Sequence, residues 1–173
     1  MAKNYSAAEL TAMQEKGSAW IFRRALNDNI KYKSGDDIVK DKKYHELVKI
    51  YPAINKQWID NYYAQQKRIL QEFSGTQFTE FTREGGFMDF ITKLVSSKFK
   101  IAKKDSWNPA DIWCVKNENK VMKDMAKIAD TKDGMASIAE LNAMMRTLYK
   151  QRVLVGISLK LISGKEAKYE EVN

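Results

Sequence analysis

The sequence predicts a predominantly helical α+β fold, a bundle of about six helices with a small sheet near the C-terminal end. Only two prolines occur in 173 residues, and Lys, Glu, Gln, Met and Ala are abundant, which favours helices. Apolar residues recur at helical spacing through most of the chain. Two stretches rich in β-branched and apolar residues, Asp111–Val115 and Val153–Ile162, predict strands that pair with each other.

The first two helices are indicated by their start signals. Ser6 and Glu9 have the spacing of a capping box, in which each side chain binds the other's backbone amide at a helix start. A second helix is predicted to begin near Asp36, whose carboxylate suits the positive end of the helix dipole, and to continue to Tyr51. Pro52 is predicted to end it and to open the next helix.

The third helix is predicted over Ala53–Phe73, with two apolar stripes that indicate a central position in the bundle. Its aromatic residues Trp58, Tyr62 and Tyr63 are interpreted as core, with a partner-binding groove as the alternative. A turn and a short segment lead to Gly85-Gly86, after which a fourth helix is predicted over Phe87–Phe99.

The second half of the chain mixes strands with helices. A helix is predicted around Asn119–Ala129, and a second capping box at Ser137 predicts the start of another. The strand Val153–Ile162 is apolar along nearly its whole length, which predicts burial on both faces. Because two strands alone are marginally stable, helices are expected to cover the sheet.

The chain is predicted to form a single domain, 1–173, with a helical part over 1–99, a strand–helix–helix–strand part over 100–162 and a polar tail over 163–173. No window approaches the roughly 18 apolar residues of a membrane helix, and the N-terminus lacks the apolar core of a signal peptide. The single cysteine, Cys114, fits a reducing compartment. We therefore expect a cytoplasmic protein without membrane contact.

The charge favours a polyanionic partner. Lys and Arg number 30 against 22 Asp and Glu, a formal net charge of +8, which promotes binding to nucleic acid through counterion release. A basic run with an aromatic residue in it is the candidate nucleic-acid site, with lysines for phosphates and an aromatic ring for a base. The run consists of Lys98, Lys100, Lys103, Lys104 and Trp107. The alternative is a solvated helix end whose lysines complement the helix dipole.

Most catalytic constellations are absent from the sequence. No Gly-rich phosphate-binding loop occurs, and one histidine with one cysteine excludes a zinc site made from those ligands. His45 is interpreted as a surface or packing residue rather than a base. Cys114 is interpreted as a buried, unactivated thiol between Trp113 and Val115.

One pairing carries a catalytic hypothesis. If the two predicted strands are neighbours, Asp111 and Lys160 are expected to point into one pocket, with Ser158 on the same strand face as Lys160. Asp111 would hold a divalent ion, here Mg²⁺, that polarises a phosphodiester and its attacking water. Lys160 would stabilise the developing negative charge. The predicted catalytic residues are therefore Asp111, Ser158 and Lys160.

These residues resemble the motif of the PD-(D/E)xK nucleases of the restriction-endonuclease-like superfamily. Asp111 in Pro109-Ala110-Asp111 matches the first acid, and Ser158-Leu159-Lys160 matches the second motif in a form where serine replaces the acid. The resemblance implies a metal-dependent nuclease. A second acidic ligand would then come from the segment before the first strand, where the candidates are Glu80, Glu84 and Asp89.

The stretches Trp107–Trp113 and Gly156–Lys160 also resemble uncharacterised proteins encoded by marine tailed phages. That resemblance implies a phage protein in the host cell cytoplasm, of which this chain is an N-terminal portion. Three functions stay open: a nuclease or inactive nuclease derivative, a non-catalytic nucleic-acid-binding module, and a phage structural or assembly protein. In the structural alternative, Asp111 caps a turn after Pro109, and Lys160 is a strand-end lysine that protects a sheet edge.

Overall fold

The computed structural model describes residues 3–99, 110–130 and 134–161, with the side chains of 134–136 excepted. These residues form seven helices and a three-stranded sheet, which confirms the predominantly α fold with a small sheet. The elements in chain order are α1 (Ala7–Leu26), α2 (Gly35–Lys40), α3 (Lys42–Ile50), α4 (Lys56–Phe73), β1 (Glu80–Thr82), α5 (Gly86–Lys98), β2 (Ile112–Val115), α6 (Glu118–Ala129), α7 (Gly134–Lys150) and β3 (Leu154–Ile157). No described helix combines the length and the apolar character that crossing a membrane requires.

The described residues fall into two compact units. Unit 1 contains the chain up to Thr76 together with Lys160 and Leu161, and unit 2 contains Gln77–Leu159. Unit 1 is built from α1 to α4, whereas all three strands and α5 to α7 lie in unit 2. The single-domain organisation stays a prediction, and the strand β1 lies inside the part, 1–99, that was expected to be helical.

In unit 1, α1 packs against α4 around a buried tyrosine. The predicted capping box is confirmed, because Ser6 Oγ accepts from the Glu9 amide at 3.2 Å and the Glu9 carboxylate accepts from the Ser6 amide at 2.8 Å. The Tyr62 hydroxyl, on α4, donates to the Gln14 carbonyl at 2.7 Å. Gly17 lies against the same ring, so the absence of a side chain there lets the two helices approach closely.

The predicted second helix is wrong as a single element. The chain forms two helices, because Asp41 adopts an extended backbone with ψ 133° and interrupts them. Asp41 caps α3 by accepting from the Lys43 amide at 2.8 Å. Its side chain also reaches Arg24 and Tyr32, so contacts from outside the segment stabilise the break.

The predicted start of the third helix is also wrong. Pro52 lies in a turn, and α4 begins at Lys56 with Asn55 as its cap, whose side chain accepts from the Trp58 amide at 3.0 Å. The interpretation of the aromatic residues as core holds for Tyr62, which is completely buried, while Trp58 and Tyr63 are half-buried.

In unit 2 the predicted pairing of the two strands is confirmed, and a third strand joins them. The sheet order is β1–β2–β3 with both pairs antiparallel; Cys114 lies opposite Phe81 on one side and Val155 on the other. The strand β1 was not predicted. Helices α5, α6 and α7 supply the apolar side chains that cover this sheet, among them Phe87, Ile91, Met125 and Leu141.

Two boundaries in unit 2 differ from the prediction. The helix expected to start at Ser137 already begins at Gly134, so Ser137 lies inside α7, where it is buried. The strand expected over Val153–Ile162 is only four residues long, Leu154–Ile157. Burial on both faces holds for its first half, whereas Gly156 and Leu161 are exposed.

Candidate nucleic-acid interface and the Asp111 site

The Asp111 side chain fixes the chain that leaves β3. Asp111 comes directly before β2, and its amide donates to the Ile157 carbonyl at 2.8 Å, which extends the β2–β3 pairing by one hydrogen bond. Its Oδ2 atom accepts from the Leu159 amide at 2.5 Å and from the Ser158 hydroxyl at 3.3 Å. The structure therefore brings Asp111 and Ser158 together just beyond the end of β3.

The chemistry of this contact suits a structural hydrogen-bond acceptor better than a metal ligand. The Leu159 amide and the Ser158 hydroxyl both donate hydrogen bonds to one oxygen of Asp111. Their hydrogen atoms carry partial positive charge and occupy lone-pair directions of that oxygen that a cation would otherwise use. A divalent cation also needs further oxygen ligands, usually carboxylates. The donor set at Asp111 thus supports a structural role, in which this carboxylate ties the start of β2 to the chain that follows β3.

Lys160 is not placed on a strand. Because β3 ends at Ile157, the alternation of faces that would put Ser158 and Lys160 side by side does not apply to them. Both side chains are exposed to solvent.

Two of the acids predicted as a second metal ligand bind backbone amides instead. Glu80 Oε1 accepts from the Phe87 amide at 2.9 Å, and Asp89 Oδ1 accepts from the Gly85 amide at 2.9 Å, so both carboxylates bind amides at the start of α5. Glu80 lies opposite Val115, four residues along β2 from Asp111, which corresponds to about 13 Å at the rise of a strand. A shared metal ion cannot bridge that separation.

Within 3–99, 110–130 and 134–161, no three His, Cys, Asp or Glu side chains are grouped as metal ligands would be. Glu84, the remaining candidate acid, is exposed. The Mg²⁺ site stays a prediction, and no group of three such ligands within the described residues supports it.

The lysine run begins beside a second group of lysines in unit 2. Lys98, the last residue of α5, forms an ion pair with Asp130, the residue after α6, with Nζ and Oδ1 2.7 Å apart. Both partners are largely exposed. The contact therefore places the start of the run at the C-terminal end of α6. The other members of the run, Lys100, Lys103, Lys104 and Trp107, lie outside the described residues.

The helix α6 presents lysines to solvent because its apolar face is used in the core. Val121, Met125 and Ala129 recur every fourth residue and are buried. The opposite face carries three exposed lysines at helical spacing, Lys120, Lys123 and Lys127. Lys120 pairs with Asp124 on the same helix at 2.6 Å. The sequence carries a signal for this face, since the lysines alternate with the apolar positions, but the predicted nucleic-acid site was confined to the run from Lys98 to Trp107.

The lone histidine and the lone cysteine have structural positions. Exposed on α3, His45 places its Nε2 atom 2.7 Å from the Val39 carbonyl oxygen. Cys114 is fully buried in the central strand, and burial raises the pKa of its thiol well above the ordinary value. Neither residue has the setting of a nucleophile or a general base.

No protein-family model, curated protein or solved structure matches this chain. The resemblance to the PD-(D/E)xK nucleases and to tailed-phage proteins therefore stays a prediction.

Proposed function

We propose that unit 2 is a non-catalytic nucleic-acid-binding module that holds the phosphate backbone with the exposed lysines of α6 and with the run that starts at Lys98. The ion pair between Lys98 and Asp130 carries the proposal, because it places Lys98, the first residue of the run, at the C-terminal end of α6. The pair offsets one positive charge with one negative charge, so the exposed lysines of α6 supply the net charge of this surface.

The spacing of the lysines on α6 suits a row of phosphates. Lys123 and Lys127 lie one helical turn apart, about 6 Å along the axis, and both extend into solvent. Phosphates on one strand of a duplex follow each other at about 3.4 Å along its axis, so long lysine side chains on one face can each reach a different phosphate. Each such contact releases counterions and strengthens binding.

Two observations support binding without hydrolysis. The Asp111 carboxylate accepts hydrogen bonds from the Leu159 amide and the Ser158 hydroxyl. These contacts are those of a structural acceptor rather than of a metal ligand grouped with other carboxylates. Glu80 and Asp89 bind the start of α5. A phosphodiesterase of the metal-dependent type needs ligands that hold the ion in an open site, and this arrangement does not supply them.

The binding proposal is tested by fluorescence anisotropy with a labelled oligonucleotide duplex over a series of salt concentrations. In the double variant Lys123→Gln/Lys127→Gln, we expect roughly 25- to 100-fold weaker binding near 0.1 M salt and a salt slope smaller by about 1.8, as two lost phosphate contacts imply. The matched control is Arg146→Gln/Lys150→Gln, which removes two exposed basic residues at the same spacing from α7. Equal losses in both variants would show a diffuse effect of charge and overturn the proposed interface.

The absence of hydrolysis is tested separately. Plasmid and single-stranded DNA are incubated with the protein and Mg²⁺ or Mn²⁺, and the parent is compared with Asp111→Asn and Lys160→Gln. We expect the same background in all three proteins. Metal-dependent cleavage by the parent that both variants lose would establish the nuclease instead.

A further inference from the structure

We propose that the core of unit 2 has a binding site for one buried water molecule between β1 and β2, formed by the Thr82 hydroxyl and the indole N–H of Trp113. The two residues lie directly opposite each other in the sheet. Their side chains therefore project from the same face, with Cβ atoms about 4.5–5.5 Å apart. The site includes none of the lysines to which nucleic-acid binding is assigned.

The polar atoms of both side chains are buried without a hydrogen-bond partner among the residues that the structure describes. They are Thr82 Oγ1 and Trp113 Nε1. Trp113 as a whole is only 5% exposed, and its indole has one donor and no acceptor. A buried polar group without a hydrogen bond is costly, so such groups in folded proteins bond to other protein groups or to ordered water. Two such atoms on opposed residues indicate one molecule that binds both.

The orientation of the Trp113 ring places its N–H on the side of Thr82. Gly156 lies opposite Trp113 on β3, and a Cβ atom on Gly156 would come within 2.8 Å of Cζ3 and 2.9 Å of Cη2 of the indole. These two atoms form the end of the indole that is farthest from its five-membered ring. Because β2 lies between β1 and β3, the six-membered ring extends towards β3, and the five-membered ring with Nε1 lies nearer to β1.

One water molecule has the size and the hydrogen-bonding capacity that the site requires. A water oxygen accepts from an indole N–H at about 2.9 Å and bonds to a hydroxyl at about 2.8 Å, so it joins polar atoms up to about 5–6 Å apart. Opposed side chains of two paired strands lie within that distance. The Thr82 hydroxyl both donates and accepts, so it can bond to a water molecule in either direction. The water would link the three-residue strand β1 to the central strand through side chains.

The neighbouring groups favour a neutral molecule over an ion. Glu80 lies two residues before Thr82 on the same face of β1, and its carboxylate accepts from the Phe87 amide at 2.9 Å. The Phe87 ring packs against Trp113, with ring centroids 5.4 Å apart. A carboxylate in this surrounding disfavours an anion, and an indole N–H, which can only donate, disfavours a cation. Water is neutral and accepts from the indole.

The site is tested first by a crystal structure of the full chain at a resolution that shows ordered water. We expect one water oxygen within about 2.7–3.2 Å of both Thr82 Oγ1 and Trp113 Nε1. A direct hydrogen bond between these two atoms would overturn the inference. So would a structure in which protein groups bond to them in place of water.

The second test is water-selective NMR of the isotope-labelled protein in solution. We expect a cross-peak between the Trp113 indole proton and water, with NOE and ROE of opposite sign, as for a molecule that stays bound for longer than the protein tumbles. Thr82→Val keeps the shape of the side chain and removes the hydroxyl, so it should lose this cross-peak. The matched control is Thr92→Val, which removes a hydroxyl on α5 that donates to the Met88 carbonyl at 2.8 Å and should leave the cross-peak unchanged.

The unmodified protein decides the outcome even where a variant fails to fold. The lack of a water cross-peak at its Trp113 indole proton would overturn the inference. A cross-peak that persists in folded Thr82→Val would also contradict it, because the water would then be bound without the threonine hydroxyl.

Discussion

The hydroxyl of Tyr32 donates a 2.5 Å hydrogen bond to the carboxylate of Asp41, nine residues later in the chain. The same Oδ2 atom receives Arg24 from α1 at 2.8 Å. Asp41 thus links the C-terminal part of α1, the loop that follows it and the start of α3. The break between α2 and α3 is therefore stabilised by this carboxylate in its ionised form.

Acid should therefore destabilise the protein through Asp41. Burial alone would raise the pKa of this carboxyl, but hydrogen bonds from Tyr32, the Lys43 amide and Arg24 outweigh it and lower the pKa below its ordinary value of 3.8. Its contribution is complete above 3.8 and is lost as the pH falls through the lowered folded-state pKa. We expect Asp41→Asn to cost about 1–3 kcal/mol at neutral pH and to flatten the decline of stability in acid, measured by urea unfolding at several pH values.

The control for this prediction is Asp28→Asn. Asp28 also pairs with Arg24, at 3.2 Å, but it lies at the surface, so its loss should cost less than about 0.5 kcal/mol. Equal costs for the two variants would contradict the role given to Asp41.

Gly17 should not tolerate a side chain. A Cβ atom at this position would lie 2.0 Å from the Tyr62 hydroxyl oxygen, in a ring that is fully buried and whose hydroxyl donates to the Gln14 carbonyl. We expect Gly17→Ala to lower the unfolding free energy by about 1–3 kcal/mol through overpacking. In a double-mutant cycle with Tyr62→Phe, which removes the closest atom, the two costs should be less than additive. Additive costs would show that the close approach does not couple the two positions.

The contact between Asp111 and the Leu159 amide should protect the end of the sheet. Asp111→Ala removes the acceptor for this amide, so its hydrogen exchange should accelerate by about tenfold or more, as the loss of roughly 1.5 kcal/mol implies. The measurement is native-state exchange by NMR. Ser158→Ala, which removes only the longer and exposed 3.3 Å contact, should change that rate much less. An unchanged Leu159 exchange rate in Asp111→Ala would contradict the structural role given to Asp111.

Cys114 should be unreactive in the folded protein. Burial in the central strand raises the pKa of its thiol, so the thiolate that reacts with disulfide reagents is scarce, and the sulfur is inaccessible. We expect an aromatic disulfide reagent to label the native protein only as fast as it unfolds, and to label it rapidly in denaturant. Fast labelling without denaturant would show that β2 opens locally.

Features set by local sequence were predictable. Ser6 and Glu9 bind each other's amides because the capping box is a local arrangement, and it was predicted from the chain alone. Pairing of β2 with β3 was also predictable, because two β-rich stretches in one small chain have few other partners. The outward lysines of α6 follow from the spacing of Val121, Met125 and Ala129 in the same way.

Features set by distant contacts were not predictable. The break at Asp41 depends on Arg24, 17 residues earlier, and β1 is a three-residue strand that exists because β2 supplies its partner. The catalytic hypothesis needed the strand of Lys160 to continue beyond Ile157, but pairing with β2 ends there. A run of apolar residues indicates burial or pairing without fixing where a partner strand stops.

Gly156 lies opposite Trp113 in the sheet, and a Cβ atom on Gly156 would come within 2.8 Å of the Trp113 ring. The indole thus occupies the volume that any larger residue at position 156 would need. Across diverged versions of this chain, the two positions should change in concert: a residue with a side chain at 156 should accompany a smaller residue at 113, and tryptophan at 113 should accompany glycine at 156. That covariation would report the β2–β3 register from sequences alone.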